Sequence, residues 1–341
     1  MGLTMTDFLR PPIIPLPVLD CFRQAEKVLL LCHYNPDGDA IGASVGLAAA
    51  IRARGRKADL HLVGAYSDNL AYLLAGMKAT DGLADPGSYD LLVLLDCHSF
   101  DRLGDDGPRL AAFLETYGPN PPLAVIDHHL TAAGETAGPT WLLDETASST
   151  GELVFYLLKA LGWTLPPQSV EALLAAIASD TGFFSQTNAT AGALAAAAEL
   201  TAAGGRLEAI KQRLKMSRPP RCLRLLGRVL NSLSLHYGNR LAVMEVTGDM
   251  LALTGAAMVD TEDFVELGRT IDGVVMSALI KDQGPGAIKI SLRSREPADV
   301  AALAALFGGG GHRQAAAYTD LEAVNAAGAK ARLLSAAERF L

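Results

Sequence analysis

The stretch Lys27-Val-Leu-Leu-Leu-Cys32-His33-Tyr-Asn-Pro-Asp37-Gly38-Asp39-Ala40 sets an apolar run directly against one imidazole and two carboxylates. A short apolar run bounded by a turn signal predicts a strand buried on both faces. Asn35-Pro36-Asp37-Gly38 supplies the turn, with proline to fix φ and glycine free to take positive φ. The pattern returns three times: Leu91-Leu-Val-Leu-Leu95 runs into Asp96, Leu123-Ala-Val-Ile126 into Asp127-His128-His129, and an apolar run ending at Ala178 into Asp180. Taken singly, each cluster reads equally well as a turn or a helix cap. Recurrence at successive element ends within one half of the chain predicts convergence, because the carboxyl ends of the strands in an open parallel sheet line one crevice.

The residue types narrow the chemistry. Carboxylates with imidazoles suit Mn²⁺, with Mg²⁺ or Fe²⁺ as substitutes, better than thiolate sites would, and a bridging carboxylate holds two ions about 3.5–4 Å apart. Two such ions ionise water near neutral pH and stabilise charge during displacement at phosphorus, so the expected activity is two-metal phosphoester hydrolysis. Cys21, Cys32, Cys97 and Cys222 are scattered without paired spacing. That argues against a structural zinc and fits a reducing compartment.

At 341 residues the chain exceeds what one core usually serves, and half of it is apolar, so two domains are expected. Residues 1–203 alternate strand-like runs (27–33, 57–63, 90–96, 122–127) with Ala-rich helical ones (41–54, 150–161, 168–178, 190–203), an α/β pattern with a parallel sheet and helices on both faces. Residues 204–226, rich in charge and breakers, read as a linker. Residues 227–341 read as a smaller α/β unit with strands at 228–236, 240–246, 273–280 and 287–293 and helices at 261–270, 297–306 and 321–340. The substrate cleft is expected between the two. No apolar stretch is long enough for a bilayer, and Met1–Asp7 lacks a basic region ahead of an apolar one, so the expected location is cytoplasmic. A net charge of −8 speaks against long duplex, whose affinity rests on many Lys and Arg contacts. Short single-stranded RNA or DNA oligonucleotides, or nucleotides, remain as substrates. No membrane partner is expected, and the composition leaves room for a homodimer.

In the second unit, Ile288-Lys-Ile-Ser-Leu-Arg-Ser-Arg295 alternates and places Lys289, Arg293 and Arg295 on one side. Gly308-Gly309-Gly310-Gly311-His312-Arg313 follows, a run that lets backbone approach a phosphate or base. Composition alone reads the same run as a flexible linker. Ser148, Ser149 and Glu152 fit either a cleft lining or a helix N-cap with its partner three residues on.

The segments HYNPDGDAIGAS (33–44), LLDCHSFDRLG (94–104), VIDHH (125–129), ASSTGELVFYLL (147–158), SDTGFF (179–184) and FGGGGHRQAAA (307–317), in this order, resemble the DHH phosphoesterases. More narrowly, the chain is similar to the nanoRNase/pAp-phosphatase branch, in which a DHH-associated domain follows the DHH domain. The resemblance implies that His33 and Asp37 hold one ion, that Asp39, His128 and Asp180 hold the other, and that Asp96 bridges them. It further implies that Asp127 orients His128 and that His129 faces the scissile phosphate. Gly309, Gly310, Gly311, His312 and Arg313, with Arg293, Arg295 and Ser149, would grip the rest of the substrate. The implied activity is hydrolysis of short oligoribonucleotides such as pApA or pGpG to nucleoside 5′-monophosphates, with 3′-dephosphorylation of pAp. A cyclic-dinucleotide (c-di-AMP) phosphodiesterase, an inorganic pyrophosphatase and a catalytically inactive nucleotide-binding sensor are the alternatives. The chain departs from the pattern at Cys97-His98, where a small or polar second residue is expected, at Ser185-Gln186, where an Arg is common, and at Ala317, where a Gly is usual. His98 reads as an exposed side chain or a spare ligand.

Overall fold

Each of the four apolar runs expected as strands in the first unit is one, and all but the edge strand β2 are buried almost throughout, as a parallel sheet covered on both faces requires. In chain order this unit contains α1 (Leu16–Gln24), β1 (Lys27–Cys32), α2 (Gly38–Ala53), β2 (Lys57–His61), α3 (Ala71–Leu74), β3 (Leu91–Leu95) and α4 (Asp106–Tyr117). There follow β4 (Leu123–Asp127), β5 (Thr140–Leu143), α5 (Thr150–Ala160), α6 (Pro167–Asp180), α7 (Ala191–Ala202) and α8 (Leu207–Lys215). The computed structural model describes residues 11–74, 76–80, 82–118, 120–129, 140–261, 263–282 and 288–341. Met1–Asp7, expected to lack a leader, lies outside the described residues.

The strands are all parallel in the order β2-β1-β3-β4-β5. The direction of winding therefore reverses between β1 and β3, and ligands of such sheets sit at that reversal, beyond the carboxyl ends. Cys32 is paired with Leu95 and Leu95 with Ile126, so the chain leaves three neighbouring strands side by side, at His33, Asp96 and Asp127.

Period-2 alternation gives each face of the sheet its own core. Leu30, Cys32, Val93, Leu95 and Ile126 pack among residues of α2, α5 and α6, while Leu29, Leu31, Leu92, Leu94 and Val125 pack with Leu110 of α4. Helix α2, Gly-Asp-Ala-Ile-Gly-Ala-Ser-Val-Gly, comes unusually near its neighbours because its contact residues are small. A Cβ on Gly42 would lie 2.6 Å from the Ala172 carbonyl oxygen, and one on Gly151 of α5 would lie 2.4 Å from Ala176 Cβ. This close approach carries Asp39, Thr150 and Asp180, one from each helix, towards the strand ends.

The second unit begins at Arg218. It contains α9 (Pro220–Asn231), β6 (Ser234–His236), β7 (Leu241–Val246), α10 (Gly248–Thr254), α11 (Phe264–Gly268), β8 (Met276–Asp282), β9 (Ile288–Ser294), α12 (Val300–Ala305), β10 (Gly310–His312), β11 (Ala315–Asp320) and α13 (Ala326–Ala337). Its sheet runs β10-β11-β9-β8-β7-β6, with only β7 and β8 parallel among the described pairs.

Several expectations need correction. Residues 204–226 are not a linker: α8 and the start of α9 occupy most of them, and the division falls between Ser217 and Arg218. The strand expected at 228–236 is split: its first residues are the end of α9, whose buried Cys222, Leu225 and Val229 recur at helical spacing behind Pro220 at the first turn, and its last three are β6. The run before Asp180 ends a helix rather than a strand. The glycine run is not simply a loop, because Gly310 and Gly311 belong to β10. No helix among the described residues is long and apolar enough to cross a membrane.

Candidate metal centre

Asp37 caps α2, its Oδ1 accepting the amides of Asp39 and Ala40 at 3.0 and 3.1 Å. The cap turns the loop after β1 so that Asp39 starts the helix buried beneath it. Asp96 follows β3 with φ of 58°, a left-handed conformation that Asp tolerates better than most residues and that often marks functional strain. Its amide donates to the Ile126 carbonyl at 3.0 Å, which ties the turn to β4.

Around Asp96 the side chains form two groups. On one side His33 Nε2 lies 3.3 Å from Asp96 Oδ2 and 4.0 Å from the half-exposed Asp37. On the other, His128 Nε2 lies 3.6 Å from Asp96 Oδ1, 3.8 Å from Asp39 Oδ2 and 3.7 Å from Asp180 Oδ2. In each of the triads His33–Asp37–Asp96 and Asp39–Asp96–His128, one ligand atom per residue lies within 4.8 Å of the others. The two triads share Asp96, which turns a different oxygen to each.

The helices add donors that the sequence alone did not mark. Thr150 and Gly151, at the amino end of α5, give their amides to the two oxygens of Asp39 at 2.7 and 2.9 Å, and the Thr150 hydroxyl lies 3.2 Å from Asp96 Oδ1. A helix amino end suits a carboxylate through its open amides and dipole. Asn188 Nδ2 reaches Asp180 Oδ2 at 3.2 Å and the Ser148 carbonyl at 3.1 Å. Thr150 sits in the capping sequence Ser149-Thr-Gly-Glu152, which signalled a helix start; nothing local to Asn188 announced its role.

The electrostatics are those of a cluster short of positive charge. Burial raises the pKa of Asp39, and the charges of Asp96 and Asp180 push it further up. Burial likewise raises Asp180, against the pull of His128, to about 7. Burial disfavours a charge on His33 and His128, but contacts with Asp96 and its neighbouring carboxylates outweigh it and lift the two imidazoles to about 9 and about 10. Asp96 is buried too, yet contacts with His128 and His33 hold it well below the usual carboxylate range. Carboxylates that resist ionising together, beside imidazoles that must then stay charged, are what divalent cations would relieve. Hard oxygens with imidazole nitrogens and no thiolate fit Mn²⁺ or Mg²⁺. His33, Asp37, Asp39, Asp96, His128 and Asp180 are the residues placed to hold such ions.

Other expected site residues fall differently. Asp127, expected to orient His128, is wholly buried and shares its carboxylate between two other histidines. Its Oδ1 accepts the amide and Nδ1 of His129 at 3.1 and 2.7 Å, and its Oδ2 accepts Nδ1 of His98 at 2.7 Å. His98 is thus neither a bare surface side chain nor placed as a spare ligand. Ser149 does not line a substrate site: it is fully buried and its hydroxyl accepts the Glu152 amide at 3.0 Å as the cap of α5. In the second unit Arg293 is committed to Glu266, Nε to Oε1 at 2.8 Å, so it does not stand ready for a phosphate. Arg295 is exposed and donates to the Arg269 carbonyl at 2.6 Å. Arg313, also exposed, forms with Gln314 the two-residue turn between β10 and β11, next to His312. Within the run before it, a Cβ on Gly309 would lie 2.3 Å from the Ala317 carbonyl and one on Gly311 2.5 Å from that of Ala315, whereas one on Gly310 would meet nothing within 4 Å.

The sequence matches the DHH family, N-terminal domain, over residues 27–177 and the DHHA1 domain over residues 245–341. It is 32% identical over 292 residues to the bifunctional oligoribonuclease and PAP phosphatase NrnA of Thermus thermophilus, covering 86% of this chain and 83% of that protein. A probable manganese-dependent inorganic pyrophosphatase of Enterococcus faecalis is 28% identical over 203 residues, 56% of this chain and 62% of that one. Among solved structures, an exopolyphosphatase-related protein from Bacteroides fragilis shares the fold with a TM-score of 0.84 at 24% identity, covering 96% of this chain and 97% of that one. With the ligand triads at the switch point of the sheet and both domain signatures in order, the chain belongs to the DHH phosphoesterase family, in its NrnA-like branch with a C-terminal DHHA1 domain.

Proposed function

We propose that this protein hydrolyses the phosphodiester bonds of very short oligoribonucleotides, releasing nucleoside 5′-monophosphates, and removes the 3′-phosphate of pAp, with two manganese ions as cofactor. One observation carries the reading: Asp96 presents its two oxygens to two separate groups, one with His33 and Asp37 and the other with Asp39 and His128, with Asp180 3.7 Å from the same His128 nitrogen. Two cations, when bound, supply Lewis acidity and a means of ionising water near neutral pH. The protein's own contribution is to hold them. Thr150 and Gly151 fix Asp39, Asn188 fixes Asp180, and the Tyr34 carbonyl, 3.1 Å from Nδ1 of His33, leaves Nε2 of that ring facing Asp96. His129, tied through Nδ1 to Asp127, presents Nε2 as the ring atom for a phosphoryl oxygen or the leaving group. Arg295, Arg313 and His312 of the second unit are the groups we assign to the remaining phosphates.

The substrate class follows from the likeness to NrnA over most of both chains and from the net charge of −8, which suits a small anion met by a few basic groups better than a polymer. The test is turnover of pAp, pApA, a 5-mer RNA, cyclic di-AMP and pyrophosphate with Mn²⁺ and with Mg²⁺. The reading expects pApA and pAp to be cleaved with the highest kcat/KM. Preferred cleavage of pyrophosphate or of cyclic di-AMP would overturn it.

A further inference from the structure

We propose that His98 is a positioning residue for this reaction, acting through Asp127 to hold the ring of His129. The proposal rests on the phosphoesterase reading above and adds to it a residue at a position where the family pattern expects a small or polar one.

The geometry is a chain of hydrogen bonds across two strand ends. His98 Nδ1 meets Asp127 Oδ2 at 2.7 Å, and Asp127 Oδ1 meets His129 Nδ1 at 2.7 Å. An ionised carboxylate only accepts, so both rings donate from Nδ1 and both turn Nε2 away from Asp127. A carboxylate rotates about its last side-chain bond with little preference. With one oxygen tied to His98 and the other to His129, Asp127 loses that freedom, and its plane fixes the plane of the His129 ring. His98 is itself held from both sides along the chain. Cys97 is buried and its thiol donates to the Ser99 carbonyl at 3.1 Å, and the Ser99 hydroxyl accepts the Asp101 amide at 3.3 Å. The imidazole of His98 is mostly covered, at 17% exposed, so its attachment to Asp127 is not a surface accident. Asp127 is wholly buried, and a buried carboxylate robbed of a donor seeks another. Without His98 the carboxylate keeps the His129 amide and ring on Oδ1 alone, so its plane can swing about that oxygen and the ring can turn towards Asp96 Oδ1, 3.3 Å from the same Nδ1.

The test compares wild type with His98→Ala and His98→Asn. Asparagine can offer an N–H near the position of the imidazole Nδ1. On pApA with Mn²⁺, His98→Ala should lower kcat about tenfold, the scale on which partners of site residues act, while KM and Mn²⁺ affinity by calorimetry stay within about twofold. His98→Asn should recover kcat to within about threefold of wild type. In parallel, ¹⁵N-histidine spectra should show the Nδ1–H signal of His129 displaced in the alanine variant and returned in the asparagine one. If alanine prevents folding, His98→Phe keeps the ring's bulk without the donor and takes its place.

A wild-type kcat in the alanine variant, a change confined to KM, a loss of Mn²⁺ affinity, or an asparagine variant no better than alanine would each overturn the proposal. The spectra need no turnover. If the wild type cleaved none of the substrates, the phosphoesterase reading would fall, and an unmoved His129 signal would still decide against His98 independently.

Discussion

Asp39, Asp96 and Asp180 in the first unit set their carboxylates against one another, whereas Gly309 and Gly311 in the second give up their side-chain space to a neighbouring strand. Both regions stand out in the sequence as clusters of unusual composition. The glycines are explained by their own sheet, since a Cβ at either would overlap a backbone carbonyl of β11. The carboxylates are only partly explained by the fold: the amides of Thr150 and Gly151 meet Asp39 and the imidazoles of His33 and His128 meet Asp96, yet burial and neighbouring charge still oppose ionisation of Asp39 and Asp180. Chemistry that the local structure leaves unbalanced is the better guide to function, and Gly310, whose missing side chain faces open space, is the glycine of the hairpin that resembles the carboxylates in this respect.

The largest effect that contrast predicts is at Asp96. Asp96→Ala removes the ligand common to both groups and should lower kcat by at least about 10³-fold on every substrate. Retention of more than a tenth of the activity would show that it bridges nothing. Next come the glycines. Gly309→Ala should destabilise the second unit by about 2–3 kcal/mol in urea unfolding, while Gly310→Ala should stay within about 0.5 kcal/mol. Equal effects at the two positions would erase the distinction drawn between them.

Asp180→Asn probes the repulsion directly. An acid whose pKa rises on folding, here from 3.8 to about 7, is most stabilising below its unfolded value, and that contribution is lost as pH rises through 7. At pH 8, before metal is added, the neutral amide should therefore raise the melting temperature of the first unit, by about 2–4 °C for about 1 kcal/mol. The Asn188 hydrogen bond can persist, since the amide oxygen still accepts. With Mn²⁺ present the order should invert, because the variant lacks a ligand. The imidazoles give a related result: with pKa values near 9 and 10, both carry protons at pH 8 that a metal must displace. Calorimetry in buffers of different ionisation enthalpy should show about one to two protons released per chain, and affinity should fall as pH is lowered. Smallest is Arg313→Ala, expected to raise KM severalfold, by about 1 kcal/mol, with kcat little changed.

The six candidate ligands were legible because each follows an apolar run long enough to name an element, and parallel strands deliver their carboxyl ends to one edge. His33, Asp96 and Asp127 come together by strand register alone. What was not legible depends on contacts between distant segments. Thr150 meets Asp96 across 54 residues and His98 meets Asp127 across 29, separations at which sequence spacing carries no signal. Arg293 looked available because alternation shows which face a side chain takes but not that Glu266 waits there. Strand β5, Thr140–Leu143, is only four residues long, too short for its period to show, and the last turn of α9 resembles the strand that follows it because a brief apolar pattern fits both periods.

The most direct test is a crystal structure with Mn²⁺ and anomalous scattering at the manganese edge. Two peaks about 3.5–4 Å apart are expected, each against a different oxygen of Asp96, one beside His33 and Asp37 and the other beside Asp39, His128 and Asp180. A single peak, or a pair that Asp96 does not touch on both sides, would contradict the shared-ligand centre.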